Sequence, residues 1–373
     1  MIDNVLSSLL QTNTLAAALA ALGAFALAVV LLRTQQWHGH WSIDSHIGIQ
    51  KSHSQPTARI GGVAILGGVL AGYFFAPLDQ RAILWPLILA GLPAFGFGLL
   101  EDVTRRVSVR ARLLATMACG VLGWAITGYA ITRVNVPGVD WLLGITFVSV
   151  VFTAFAVGGI ANAINIIDGF NGLAAGSVTL ILCGFASISF AVGDPALAYV
   201  SLILAGGVLG FLLVNWPLGK LFLGDGGAYF VGFAIAWLAV LLMARHPEVS
   251  AWALLLLCAF PFLEVVFSIA RRHRRGLSPG APDRLHLHSL VKRRIVCKVF
   301  PKASALAHNS ITGAMMWIAT LVPVLMATAW PSDRGALALG LAVCAFAYSS
   351  IYARLTQFVW CFGAATTGKP KFA

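Results

Sequence analysis

Short polar stretches interrupt long apolar runs in this chain, and they hold most of the residue types able to do chemistry. Asn162, Asn165, Asp168 and Asn171 recur at three-residue spacing, which drifts only slowly around one face of a helical turn. Gly169 and Gly172 beside them let backbone bend or approach a ligand closely. Glu101 and Asp102 are adjacent carboxylates at the end of an apolar run; such a pair can hold a divalent cation through hard oxygens, or one can act as a base. Asp225 stands between Gly224 and Gly226-Gly227 just before another run. An acid there can cap a helix, or take a metal while the first amides of the helix face a phosphate. Lys51 and Arg59 are suited to phosphate. Asp283, Arg284, His286 and His288 form a last cluster. Two His at i and i+2 do not share a helix face, so an extended or turning backbone is expected. No Cys or tight third ligand stands nearby to favour zinc, so contacts to a diphosphate or sugar are the better reading. Acids, a divalent cation and Lys/Arg together are the parts of phosphoryl transfer. No Walker A motif or kinase-type Gly loop is present, which disfavours ATP hydrolysis.

The elements that must position these residues are membrane spans. The chain has 373 residues, 59% hydrophobic and only 10% charged, against roughly 25% charged in soluble domains; its mean hydropathy is +0.87. An all-α polytopic integral membrane protein is implied. Eleven runs reach the length a span needs, near 14–32, 60–78, 82–100, 112–132, 141–161, 172–192, 197–215, 227–245, 250–270, 311–330 and 335–353. Of the 25 Lys and Arg, all but Arg81, Arg133, Arg245 and Arg334 fall on one side of this scheme. By the positive-inside rule that side is cytoplasmic, with the N-terminus extracytoplasmic and the C-terminus cytoplasmic. The net charge of +12 is then a topology signal or an anionic-lipid contact, and no nucleic-acid partner is expected. The acidic and Gly-rich stretches share that side. Residues 1–373 therefore read as one transmembrane domain whose cytoplasmic loops 33–59, 101–111, 162–171, 216–226 and 271–310 form an active-site face. His38, His40 and His46 read as solvated, the six cysteines as small core residues, and the first apolar run as retained, since no basic n-region precedes it. Gly206-Gly207-Val208-Leu209-Gly210 allows close helix packing, within the chain or in a homodimer.

Taken in order, Pro56-Thr57-Ala58-Arg59-Ile60-Gly61-Gly62, Gly98-Leu99-Leu100-Glu101-Asp102, Asn162 to Gly176, Leu223-Gly224-Asp225-Gly226-Gly227 and Pro282-Asp283-Arg284-Leu285-His286-Leu287-His288 resemble the bacterial polyprenyl-phosphate N-acetylhexosamine-1-phosphate transferases. Phospho-N-acetylmuramoyl-pentapeptide transferase belongs to the same superfamily. The resemblance implies a bacterial inner-membrane enzyme with a cytoplasmic site. In it, undecaprenyl phosphate attacks the β-phosphate of a UDP-N-acetyl sugar, giving a polyprenyl-diphospho-sugar and UMP, with Mg²⁺ (Mn²⁺ as the alternative). It implies Asp225 as a metal ligand and Asp168 as an acid for metal or nucleotide. Asp102 and Glu101 become an acidic pair near the lipid phosphate, and Asp283, Arg284, His286 and His288 a substrate loop. Arg59, Asn162, Asn165, Asn171 and Lys51 are expected at the substrate, Lys51 as the weaker match.

Three positions depart from that pattern. Glu101 stands where the family usually has Asp, and the extra methylene displaces a base by about 1 Å, which favours Asp102. Asn171 replaces an acid, so it can orient but not act as a base. Ser289 stands where another His often follows. The last motif looks closer to the branch that initiates surface polysaccharides, such as O-antigen or exopolysaccharide, than to the peptidoglycan branch. Direct in-line attack by a largely dianionic lipid phosphate is favoured over a covalent phospho-Asp. The reading from another class is a secondary transporter of an anionic substrate; it expects ionisable groups in mid-span, where Glu264 is the main acid.

Overall fold

The computed structural model describes residues 2–44, 57–276 and 285–357, with residues 2–13 and 44 as backbone only. It is a helical bundle with one short antiparallel strand pair, Ile43–Asp44 with Thr57–Ala58: α1 (Ile2–Arg33), α2 (Gln35–Ser42), α3 (Gly61–Phe75), α4 (Leu78–Thr104), α5 (Val109–Thr127), α6 (Val139–Leu143), α7 (Thr146–Ile167), α8 (Leu173–Ala191), α9 (Pro195–Asn215), α10 (Gly224–Arg245), α11 (Ala251–Leu257), α12 (Ala259–Arg274), α13 (Leu287–Val291), a π-helical turn Lys292–Val296, α14 (Cys297–Val299), α15 (Ala305–Ala329) and α16 (Arg334–Thr356). Nine of the described helices are long and apolar enough to cross a membrane. A tenth span is counted if α11 and α12, bent by 80° at their junction, are one, and α3 is a shorter apolar helix. Every one of the eleven expected runs thus corresponds to helix, and the chain is a multi-pass membrane protein.

Local sequence explains the helix ends. Ser108 caps α5 through the Ala111 amide, and Asp194 caps α9 through the Leu197 amide with Pro195 next in line. Small residues bring helices close: Ala16, Ala20, Ala24 and Ala28 recur every fourth residue on α1 and are fully buried, and α1 packs on α3 and α9. The Gly-rich run of α9 is used here, within the chain, with Gly206 and Gly210 against the carbonyls of Ala17 and Ala21. The core is centred on α10, buried along nearly its whole length, with Trp237, Phe230 and Phe233 fully enclosed. Helices α4, α7, α3 and α8 surround it.

The polar linkers are shorter than expected. Helix α7 continues through Asn162 and Asn165 to Ile167, α4 through Glu101 and Asp102 to Thr104, and α5 begins at Val109, so the loops 162–171 and 101–111 shrink to a few residues. Polar side chains remain inside these helices because neighbouring helices satisfy them. Residues 271–310 likewise hold helix for much of their length. His38 is buried, not solvated: its ring nitrogens meet Ser42 Oγ at 2.6 Å and the Leu31 carbonyl at 2.8 Å.

At the far end of α10 a second polar cluster closes the bundle. Asp194 accepts from Arg245 Nε at 2.8 Å, from His246 Nε2 at 3.1 Å and from the Leu197 amide at 3.0 Å. Arg133 donates to the carbonyls of Met243, His246 and Val249 at 3.1–3.2 Å.

Candidate active site at the start of helix α10

A short backbone ladder joins two of the sequence motifs. The Phe222 amide donates to the Ala58 carbonyl at 2.9 Å, Gly61 to Phe222 at 2.9 Å, and Gly62 to Leu223 at 3.0 Å. It lays residues 58–62 along residues 221–223 and carries Arg59 to the start of α10. Gly224 has φ +75°, and a side chain there would run into the Arg59 carbonyl and the Asp102 carboxylate. Gly98 on α4 admits the Asp225–Gly226 backbone, whose atoms would lie 2.6 Å from a Cβ.

This close approach lets Asp102, 2% exposed, cap α10 from another helix. Its Oδ1 accepts the Asp225 amide and its Oδ2 the Gly226 amide, both at 2.9 Å. No side chain next to α10 in sequence does so. These two amides, expected to face a phosphate, are therefore taken by a carboxylate. What they gain is a fixed direction for Asp225.

Asp225 is the meeting point. Arg59 Nη2 donates to its Oδ1 at 3.2 Å and lies 3.4 Å from Asp102 Oδ1. Arg112 Nη1 of α5 pairs with Oδ2, and Asn165 Nδ2 of α7 donates to Oδ1 at 2.9 Å. Tyr229, one turn into α10, donates its hydroxyl to Asn165 Oδ1 at 3.4 Å. Asp168 ends α7 within the field of this cluster. Burial and then the Asp225 charge push its carboxyl up to about 7, while Arg59 and the Gly224 amide pull the other way.

The remaining expected residues divide. Glu101 is half-buried and its Oε2 accepts the Val107 amide at 2.8 Å. Asn162 Nδ2 bonds Thr116 Oγ1 at 3.2 Å and the Gly158 carbonyl at 2.8 Å, away from Asp225. Asn171 is buried and donates to Ser310 Oγ at 3.3 Å, whose hydroxyl donates to the Pro217 carbonyl at 2.6 Å. It ties the α7–α8 turn to α15. His286 and His288 do come to the site: His288 stands edge-on to Phe170 (5.4 Å between centroids, 87°) beside Gly169. His286 is in the expected extended conformation, while His288 already lies in the first turn of α13. Lys51, Asp283 and Arg284 lie outside the described residues.

Two contributors escaped the sequence reading. Arg112 looked like one more cation flanking a span. Its signal was its place at the opening of the helix directly after the acidic pair. Glu264 looked like an acid stranded in a span, yet it bonds His286. Among the described residues no three His, Cys, Asp or Glu side chains form a ready cage for a metal. Mg²⁺ does not ask for one: it takes one or two carboxylates, substrate phosphate oxygens and water. Asp225 and Asp168 are near enough for the charge of one to be felt by the other, so together they offer the hard carboxylate oxygens a dication takes, while Arg59 and Arg112 now neutralise Asp225 in its place.

Residues 84–243, which contain the acidic pair, the α7 amides and Asp225, match glycosyl transferase family 4. The chain is 27% identical over 242 residues to a probable undecaprenyl-phosphate N-acetylglucosaminyl 1-phosphate transferase of Bacillus subtilis, covering 64% of this chain and 66% of that one. It is 29% identical over 325 residues to the decaprenyl-phosphate N-acetylglucosaminephosphotransferase of Mycobacterium leprae, covering 73% and 81%. A third relative, the undecaprenyl-phosphate alpha-N-acetylglucosaminyl 1-phosphate transferase of Yersinia pestis, is 28% identical over 252 residues, 65% of this chain and 68% of its own.

Proposed function

We propose that this chain, which matches glycosyl transferase family 4 over residues 84–243 and is similar to polyprenyl-phosphate N-acetylglucosamine-1-phosphate transferases, transfers N-acetylhexosamine-1-phosphate from a UDP-sugar to undecaprenyl phosphate. The products are undecaprenyl-diphospho-sugar and UMP. The observation that carries the reading is the convergence of Arg59, Arg112 and Asn165 on the Asp225 carboxylate, with Asp102 accepting the Asp225 backbone amide at the start of α10. Converging cations and carboxylates suit a reaction in which negative charge moves between phosphates and little covalent work falls to the protein.

Asp225 and Asp168 would hold Mg²⁺, which when bound neutralises charge on the transferred phosphate. Arg59 and Arg112, released in part from Asp225 as substrate enters, meet phosphate oxygens. Guanidinium suits this because its planar fork matches them. Asn165 keeps Asp225 aimed, and Asp102 acts through Asp225 by fixing its backbone. The attacking lipid phosphate is largely a dianion at neutral pH, so direct attack needs positioning more than a strong base. The site lies on the cytoplasmic side of the bacterial inner membrane in this reading, and the product starts a surface polysaccharide such as O-antigen or exopolysaccharide.

The test is UMP release by purified protein in detergent with undecaprenyl phosphate, Mg²⁺ and a panel of UDP-sugars, beside Asp225→Asn. Release that needs lipid and metal and disappears in the variant supports the reading and identifies the donor. UMP from a UDP-muramoyl-pentapeptide alone moves the protein to the peptidoglycan branch. Silence of folded protein on every donor moves the reading to a rare donor, a scaffold or a transporter. Exchange of labelled UMP into UDP-sugar without lipid counts against direct attack.

A further inference from the structure

Glu264 is fully enclosed in α12, just past the 80° break that separates this helix from α11. A carboxylate in such surroundings is costly unless it is bonded. Here its Oε1 meets two groups of the last sequence motif: the Leu287 amide, which donates at 3.1 Å, and His286 Nδ1 at 2.9 Å. One bond sets the chain direction where α13 begins, and the other sets the ring. The His286 ring lies parallel to that of His288, with 5.3 Å between centroids and 6° between planes. His288 in turn abuts Gly169, where a Cβ would fall 2.9 Å from its Nε2. A continuous line of contact thus runs from α12 through both imidazoles to the residue next to Asp168.

We infer that Glu264 is a positioning residue for the transferase, holding His286 so that its Nε2 meets the diphosphate of the nucleotide-sugar donor. The inference rests on the transferase reading above. With Nδ1 on a carboxylate, Nε2 is the ring nitrogen left to engage an anion. A carboxylate hydrogen-bonded to one ring nitrogen fixes the ring's orientation and its tautomer.

The experiment compares Glu264→Gln, Glu264→Asp, His286→Asn and the double variant Glu264→Gln/His286→Asn. Kinetics of UMP release, the thermal midpoint and ¹⁵N-histidine NMR spectra in detergent are read for each. Glu264→Gln should raise the KM for the UDP-sugar about tenfold with kcat little changed, the signature of lost binding. Its effect should vanish in the His286→Asn background, and Glu264→Asp should recover part of it. Wild-type kinetics in Glu264→Gln, or an effect that adds fully to His286→Asn, overturns the inference. If Glu264→Gln does not fold, an unchanged donor KM in Glu264→Asp overturns it. The NMR arm needs no substrate. A His286 signal showing Nδ1 protonated and hydrogen-bonded in wild type, and altered in Glu264→Asp, supports the contact even if no donor releases UMP, an outcome that would sink only the transferase reading.

Discussion

The two ends of α10 carry the same residue types to opposite effect. At its last turn, Asp194 faces Arg245 and His246 and caps the helix that begins beside it, so each charge has a structural task. At its first turn, two arginines and an amide crowd one carboxylate, while a second carboxylate is spent on backbone amides. Arg245 and Asp194 would be at home in any helical bundle. The Asp225 cluster is over-supplied with charge for its packing, and it sits on glycines that remove every obstacle to backbone contact. An ion cluster is therefore identified as a working site less by its charge than by what the surrounding backbone gives up to build it.

The largest separation between the two ends should come from Asp225→Asn. Turnover of the UDP-sugar falls about 10²–10³-fold, measured as UMP release at saturating Mg²⁺, and residual activity near wild type would dissolve the contrast. Asp102→Asn comes next. Its amide nitrogen cannot accept, so one buried N–H of α10 is left orphaned at about 1–3 kcal/mol, and kcat falls about tenfold or more; a lowered thermal midpoint with unchanged kcat would make Asp102 purely structural. Asp168 gives a smaller, pH-dependent effect. Its proton is held more tightly in the folded protein, at about 7 against an ordinary 3.8. The stability it contributes is therefore complete below the ordinary value and lost as pH rises through about 7. The carboxylate form needed for a dication grows over the same interval. Mg²⁺-activated turnover should rise from pH 6 to pH 8, and Asp168→Asn should flatten that limb while making metal-free protein more stable at pH 8. At the other end, Asp194→Ala should cost about 1–2 kcal/mol of stability through the lost cap with kcat unchanged. Asn162→Ala, whose side chain faces Thr116 and Gly158, should change turnover least, within about threefold; a tenfold loss would extend the site along α7.

Much of this was legible in the sequence. The apolar runs mark every long helix because spans must be apolar over about 20 residues, and Arg59, Asp168 and Asp225 stand out as polar groups beside glycines. Linker lengths were misjudged because a half-buried Asn reads as loop when its partner is distant in sequence. Asn165 is satisfied by Asp225, 60 residues away. Asp102 was legible as an important acid but not as a cap, since the helix it caps begins 122 residues later, at Gly224. Arg112 and Glu264 were hidden for the same reason: each resembles a common feature of membrane proteins until its partner is known.

The side-chain cap on α10 has a consequence for dynamics. First-turn amides of a helix have no carbonyl within their own helix to hold them and ordinarily exchange readily with solvent. Those of Asp225 and Gly226 are held instead by an oxygen each from α4. Deuterium uptake at these two positions therefore reports whether α4 and α10 are docked. Axial sliding or rotation of one helix against the other breaks both bonds at once, so the pair is locked in register at the point where the carboxylates meet.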